Sequence, residues 1–186
     1  MPNLCVFCGS RAGLLPEYAH AAAAVGSAIA KQGAGLVYGG GSVGLMGIVA
    51  ETASQAGADV FGVIPGGLFD REMGRERVTE LFVTQGMHER KAKMVALADA
   101  FLALPGGAGT LDELFEVFTW RQIGIHQKPV GVLNVAGFYD GVIAHMDTAT
   151  AAGFVGPADR ARLRVETSAD DAVQNLLAAA TSGEVG

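Results

Sequence analysis

Short apolar runs that end in turns, each followed by an amphipathic stretch, recur along this chain of 186 residues. Such runs are typical of parallel strands, because the helices of the crossover connections bury both faces of the sheet. The pattern predicts a doubly wound, Rossmann-like α/β fold of about seven parallel strands with helices on both faces, forming a single domain over residues 1–186. The predicted strands are Leu4–Cys8, Leu36–Tyr38, Val60–Ile64, Val78–Val83, the run from Ala100 to Leu104, Val130–Val135 and Leu163–Val165.

The intervals between these strands have helical spacing, and glycines follow several strand ends. Helices are predicted from Pro16, in the segment that the run Gly39–Gly47 opens and that ends near Gly57, over Met87–Ala98, Thr110–Ile123 and Phe138–Ala152, and after a Ser168 cap. Ligands of such sheets bind outside the carboxyl ends of the strands. The turns at those ends, which we expect to line one crevice, are Gly9-Ser10, Gly39–Gly44, Gly66-Gly67 and Pro105–Thr110.

The composition argues against several classes of partner. A net charge of −6 disfavours a nucleic-acid groove or an anionic membrane surface. No apolar segment approaches the roughly 20 residues of a membrane span, and no signal peptide is visible, so we expect a cytoplasmic protein. Cys5 and Cys8 lie in or at the end of a buried strand, and no second cysteine or histidine pair completes a zinc site. We therefore expect no metal ion.

The segment Pro105–Glu113 joins a buried strand to a helix through a glycine-rich turn. Free N–H groups and the positive dipole end of the helix favour an anion, and glycines let a phosphate approach the backbone. The predicted phosphate contacts are Gly107, Ala108, Gly109 and Thr110. Glu113 does not help to hold a phosphate, so its presence indicates chemistry. The alternative is structural: Thr110-x-x-Glu113 is also a capping box, which explains the same acid without catalysis.

Two further motifs each leave an alternative open. Gly39–Gly44 matches G-x-G-x-x-G but lacks the first-strand position and the acidic residue of a dinucleotide site, so we interpret it as close backbone approach to a mononucleotide. A packing turn between helix and strand is the alternative. Met87, Arg90 and Met94 share one helix face, which suits a flat apolar group beside an anion. A solvated face with two core methionines explains the same spacing.

Together these segments resemble the LONELY GUY (LOG) family. Pro105–Glu113 is similar to its PGGxGTxxE signature and Met87–Lys91 to its MHxRK signature, and both are intact. Tyr38–Gly47, Arg71-Glu72 and Thr119–His126 also resemble family segments. The resemblance implies a phosphoribohydrolase that cleaves the N-glycosidic bond of N6-substituted AMP, and of plain AMP, to the free base and ribose 5-phosphate, without a cofactor. It also implies a homodimer with a small-molecule nucleotide substrate.

The resemblance further implies roles for individual residues. Arg90 and Glu113 are the expected catalytic pair, with Arg90 orienting the carboxylate, because a guanidinium is a poor acid. The other expected substrate contacts are Gly40, Gly41, Ser42, Glu72, Met87, Lys91 and Thr119, with Met94 beside the base. An older label for the same signature is lysine decarboxylase.

Two other functions compete with this interpretation. A pyridoxal-phosphate decarboxylase needs a Schiff-base lysine, and the lysines Lys31, Lys91, Lys93 and Lys128 lie away from the predicted phosphate turn. A non-catalytic nucleotide-binding or carrier protein of the same fold would use Glu113 only as a helix cap.

Overall fold

The computed structural model describes residues 1–67 and 78–182. Within them the strands form one seven-stranded, all-parallel sheet in the order β4-β3-β2-β1-β5-β6-β7. They are β1 (Asn3–Phe7), β2 (Gly35–Tyr38), β3 (Val60–Pro65), β4 (Glu80–Thr84), β5 (Ala100–Ala103), β6 (Val130–Leu133) and β7 (Leu163–Glu166). The predicted fold class is confirmed.

Helices cover both faces of this sheet. They are α1 (Pro16–Lys31), α2 (Gly44–Gln55), α3 (Met87–Leu97), α4 (Ala108–Gln122), α5 (Asp140–Ala151), α6 (Pro157–Ala161) and α7 (Ala169–Ser182). One core lies under α1, α2 and α7, where Leu36 and Leu102 are fully buried. The other lies under α3, α4 and α5, around Phe101 and Val132. In the part of the chain that the structure describes, no helix is long and apolar enough to cross a membrane.

The order of the strands changes direction between β1 and β5, which are hydrogen-bonded neighbours. From β1 the chain continues outward through β2 to β4, and it then returns to the other side of β1 as β5. The loops after β1 and β5 consequently diverge, and they leave a crevice at the carboxyl ends of these two strands.

Several element boundaries differ from the predicted ones. β4 begins at Glu80 because its ladder with β3 begins there, at the pair Phe61–Glu80, so Val78 lies outside it. β6 ends at Leu133 because a 3-10 turn follows, with Ala136 at φ 50°. That turn also delays the next helix to Asp140, and the short helix α6 was not predicted. The Ser168 cap is confirmed, since its Oγ accepts from the Asp171 N–H at 3.4 Å.

Candidate active site

A cavity of about 710 Å³ occupies the crevice at the point where the strand order changes direction. Its walls come from the loop after β1, the end of β2 with the start of α2, the start of α3, and the β5–α4 turn. Two aromatic side chains, Tyr18 and Phe138, complete it. The site is therefore built from loops and helix ends on both faces of the sheet, as expected for this class of fold.

Gly9 holds three of these walls together. Its N–H donates to the Pro105 carbonyl at 3.0 Å, and its own carbonyl accepts from the Leu45 N–H at 3.0 Å. The neighbouring Ser10 backbone lies where a Cβ on Gly44 would stand, and Gly44 has a φ of 63° that favours glycine. The loop after β1 is thus fixed between the start of α2 and the turn after β5.

The β5–α4 turn presents unpaired N–H groups to the cavity. Gly107 is the N-cap of α4, and the first N–H bonded within the helix is that of Leu111, which donates to the Gly107 carbonyl at 3.2 Å. The preceding N–H groups of α4 have no helical partner, and Ala108 and Gly109 are exposed. A dianionic phosphate placed there would accept these hydrogen bonds at the positive end of the helix dipole.

Arg90 and Glu113 form a buried ion pair in the floor of the cavity. Arg90 Nη1 donates to Glu113 Oε1 at 2.8 Å, and both side chains are 10% exposed. The Arg90 Nε also donates to the Val63 carbonyl at 3.0 Å, and Nη2 donates to the Gly39 carbonyl at 3.3 Å. The guanidinium is therefore fixed by the ends of β2 and β3, and it holds the carboxylate in one orientation.

The surroundings of Glu113 raise its pKa above the ordinary value of 4.5. Burial is the largest cause, since it disfavours the charged form, and the Arg90 charge opposes it only in part. The same burial, with the negative charge of Glu113, raises the pKa of the Cys8 thiol far above its ordinary range. Cys8 lines the cavity but stays protonated, so it is no nucleophile. Glu113 is the group suited to stabilising positive charge or taking a proton.

Comparison with known proteins places the chain in a family. The family model described as "Possible lysine decarboxylase" matches residues 46–176. The cytokinin riboside 5'-monophosphate phosphoribohydrolase LOG of Oryza sativa is 48% identical over 183 residues, which are 98% of this chain and 70% of that protein. The chain belongs to the LOG family. Arabidopsis thaliana LOG7, a phosphoribohydrolase of the same name, is 47% identical over 94% of this chain and 80% of its own length.

Solved structures with other names share the fold. The molybdenum cofactor binding protein of Rippkaea orientalis has a TM-score of 0.72 and 22% identity over 95% of this chain and 96% of its own. The molybdenum cofactor carrier protein of Chlamydomonas reinhardtii has a TM-score of 0.70 and 24% identity over 95% and 98%. At this level of identity the likeness concerns the fold alone.

The two LOG signatures meet in the cavity. The predicted residues that line it are Met87, Arg90, Gly107, Ala108, Gly109, Thr110 and Glu113. Gly40 and Gly41 are buried and do not line the cavity, whereas the preceding Gly39 does, and Ser42 is also outside the lining. Met94 lies in the core under α3 at 1% exposure. Met87 and Arg90 therefore face the cavity from one side of α3, whereas Met94 is a core methionine, as the alternative interpretation of this helix face has it.

Of three other substrate contacts that the LOG resemblance implies, two do not line the cavity and one falls outside the residues that the structure describes. Lys91 forms ion pairs of 3.1 Å with both Asp112 and Glu116, and it does not line the cavity. Thr119 is exposed on α4, also outside the lining. Glu72 falls outside the residues that the structure describes, as does Arg71 of the same family segment.

The capping-box interpretation of Thr110 and Glu113 is wrong. The helix begins at Ala108 with Gly107 as its N-cap, so Thr110 lies inside the first turn and not at the cap position. The Glu113 carboxylate points to Arg90. The Pro-Gly-Gly turn is tight, because Gly106 packs against Thr110 at a place where any Cβ would overlap the threonine hydroxyl.

An aromatic wall of the cavity was missed by sequence reasoning. Tyr18 at the start of α1 and Phe138 after the 3-10 turn contact each other edge to face, with ring centroids 5.7 Å apart. Gly13 makes room for the tyrosine, since a Cβ there would lie 2.6 Å from its ring. Phe138 lies 120 residues away in sequence from Tyr18, and each alone reads as a residue of an amphipathic helix.

Proposed function

We propose that this protein hydrolyses the N-glycosidic bond of N6-substituted adenosine 5'-monophosphates, releasing the free base and ribose 5-phosphate. The observation that carries the proposal is the buried Arg90–Glu113 pair, one helical turn from the open N–H groups at the start of α4. The LOG proteins of Oryza sativa and Arabidopsis thaliana, which share about half of the residues of this chain, carry the same activity in their names.

The two parts of the site act on opposite ends of one ribose 5-phosphate. The phosphate binds the N–H groups of the segment Gly107–Thr110, and this remote binding energy fixes the sugar over Glu113. Cleavage passes through an oxocarbenium-like state, and a carboxylate close to the anomeric carbon stabilises its positive charge. This state forms as the bond to the base breaks; water then adds to that carbon, and the proton that the water loses is balanced by the proton that the departing base takes up. The base lies against Met46 and Met87, which line the cavity beside Arg90.

The positions of the lysines support this reaction over a Schiff-base decarboxylation. Lys31 contacts Asp170, Lys91 contacts Asp112 and Glu116, Lys93 lies over the Phe82 ring and Lys128 donates to the Val95 carbonyl. None of them lines the cavity. A pyridoxal-phosphate enzyme requires a lysine amine within reach of the bound cofactor, so the lysine decarboxylase label of the family model does not suit this site.

The test is an assay with paired substrates. The purified protein is incubated with N6-isopentenyl-AMP and, separately, with AMP, and the free base and ribose 5-phosphate are quantified by chromatography. We expect equal amounts of both products, and the ratio of kcat/KM for the two nucleotides measures the preference for the N6 substituent. The matching nucleosides, which lack the phosphate, should react far more slowly. If neither nucleotide released free base, the proposal would be contradicted.

A non-catalytic carrier is the competing function, because the fold is shared with molybdenum cofactor carrier proteins. The fold does not distinguish a carrier from an enzyme, but the buried Arg90–Glu113 pair in the cavity favours the enzyme. Burying a charged pair costs solvation energy, and a binding site gains nothing from a carboxylate next to a phosphate cradle. Tight binding of N6-isopentenyl-AMP without turnover would favour the carrier.

We also propose that two copies of the chain associate and that they do so in the cytoplasm. Ile123 and Ile125, just past α4, are 65% and 62% exposed, and Thr119 lies one turn before Ile123. A second copy on this surface would give the implied substrate contact of Thr119 a structural basis. Light scattering should give twice the chain mass, and replacing Ile123 with a charged residue should lower the measured mass.

The proposed location rests on the cysteines. The buried free thiols Cys5 and Cys8 suit a reducing compartment such as the cytoplasm, which cell fractionation would check.

A further inference from the structure

We propose that Gly39 is a positioning residue for the reaction: its missing side chain leaves the space that the Arg90 guanidinium occupies, and its carbonyl fixes the orientation in which Arg90 holds Glu113. The inference rests on the proposed function and deepens it. It concerns a residue at the carboxyl end of β2 that lies 74 positions before the carboxylate it serves.

The first support is the geometry of the guanidinium. Arg90 approaches from α3 across the end of the sheet, donating from Nε to the Val63 carbonyl at 3.0 Å and from Nη2 to the Gly39 carbonyl at 3.3 Å. A guanidinium is a rigid planar fork, so two fixed donors determine the direction of the third. That third donor, Nη1, meets Glu113 Oε1 at 2.8 Å. The two carbonyls at adjacent strand ends thus aim Arg90 at its partner.

The second support is steric. A Cβ built on Gly39 would overlap Arg90 Nη2, and its next contact is Met46 Sδ at 3.1 Å, the end of a flexible side chain. Gly39 does not have a φ in the left-handed region, so its backbone accepts any residue. Alanine at this position is therefore opposed chiefly by the guanidinium. The neighbouring Gly40 is different, because it has a φ of 75° and a Cβ there would meet the backbone and side chain of β3.

The consequence for Glu113 follows from its surroundings. Arg90 and Lys91 of α3 lower its pKa, whereas burial and Asp112 of α4 raise it. The Cys8 thiol after β1 also faces this charge. Lys91 already contacts Asp112 and Glu116 at 3.1 Å, so it is not free to replace a displaced Arg90. When Arg90 moves, Glu113 loses its strongest stabilising charge and takes up a proton at higher pH.

The experiment is a cycle of Gly39→Ala, Arg90→Lys and the double variant, with Gly141→Ala as control. Gly141 lies on α5 with no neighbour within 4 Å of an added Cβ, so its variant should keep full activity and melting temperature. We expect Gly39→Ala to lower kcat by about 100-fold, as a misplaced catalytic group does, and to lower Tm to an extent similar to Glu113→Gln, because both variants weaken the same buried ion pair. The Arg90→Lys background has no Nη2 to displace, so the same change should lower kcat there by less than about 3-fold.

A second readout does not depend on turnover. The pKa of the Glu113 carboxyl, followed by NMR of protein with labelled glutamate side chains, should rise by about 1 or more in Gly39→Ala and stay unchanged in Gly141→Ala. Additive effects on kcat in the double variant, or an unchanged Glu113 pKa in Gly39→Ala, would overturn the proposal. If the wild-type chain releases no base, the proposed function fails, and the titration still decides the role of Gly39.

Discussion

Arg90 and Glu113 meet at 2.8 Å although they lie 23 positions apart in sequence, and both side chains are 90% buried. A pair of this kind is costly to desolvate and is costlier still when one partner is removed, because the remaining charge stays buried. The pair also joins the two helices that carry the family signatures, α3 and α4. Its removal should therefore change both turnover and stability, and the two effects can be measured separately.

Glu113→Gln should abolish turnover and lower stability moderately. The amide oxygen can still accept the hydrogen bond from Arg90, but the guanidinium loses its counter-charge in a buried place. We expect kcat to fall by more than about 100-fold and the free energy of unfolding to fall by about 1–3 kcal/mol. Chromatographic product assays and urea denaturation measure the two effects. Full activity of this variant would exclude a catalytic role for the carboxylate.

The raised pKa of Glu113 predicts opposite effects of pH on stability and on turnover. The folded chain binds this proton more tightly than the unfolded chain, whose pKa is near 4.5. The contribution of Glu113 to the free energy of unfolding therefore falls as the pH rises from 4.5 to the raised pKa, and it is constant above. Turnover needs the carboxylate, so kcat should rise over the same interval. Urea denaturation of wild type and Glu113→Gln across pH isolates the contribution, and a difference independent of pH would contradict it.

Tyr139→Phe should weaken the phosphate site from a distance. The Tyr139 hydroxyl is fully buried and donates to the Leu104 carbonyl at 2.6 Å, directly before the Pro-Gly-Gly turn. Losing it leaves a buried carbonyl unpaired, at about 1–3 kcal/mol of stability, and loosens the turn. We expect KM for the nucleotide to rise more than kcat falls. Thr148→Ala is the control, since it removes an exposed hydroxyl bonded to the Ala144 carbonyl on α5. Equal effects of both variants would refute the prediction.

Two glycines of the phosphate turn should respond differently to alanine. A Cβ on Gly106 would overlap the Thr110 hydroxyl and lie 2.9 Å from the Gly9 nitrogen, so Gly106→Ala should lower the melting temperature. A Cβ on Gly109 meets nothing within 4 Å, and alanine favours the helix. Gly109→Ala should therefore keep its stability and raise KM about 10-fold or more, since the methyl group stands at the open start of α4. An unchanged KM would mean that the phosphate binds elsewhere.

Much of the fold could be predicted because its signals are local. Each buried strand is a short apolar run, and each crossover has helical periodicity, so the sheet and the edge that carries the site follow from the pattern. The errors fall where tertiary pairing sets the boundary, as at Glu80, where the ladder with β3 begins. Likewise, the run Val130–Val135 is interrupted by a turn that its composition does not reveal.

The site was predictable in part, for a different reason. Glycines before a helix indicate an anion site, and the Met87–Lys91 segment was recognisable as a motif. Arg90 contacts residues that lie 23, 27 and 51 positions from it in sequence, and the periodicity of helices and strands cannot predict contacts over such separations. For the same reason Thr110-x-x-Glu113 read equally well as a cap, until the position of Arg90 decided between the two interpretations.

The two hydrogen bonds of Gly9 have a consequence for how ligands are selected. A loop that must be ordered by its ligand spends part of the binding energy on lost conformational freedom. Here the backbone between the starts of α2 and α4 is ordered beforehand, through Pro105 on one side and Leu45 on the other. This part of the cavity wall behaves as one rigid frame, so a nucleotide that does not fit it must break a backbone hydrogen bond to bind. The frame therefore selects ligands by shape, before any chemistry begins.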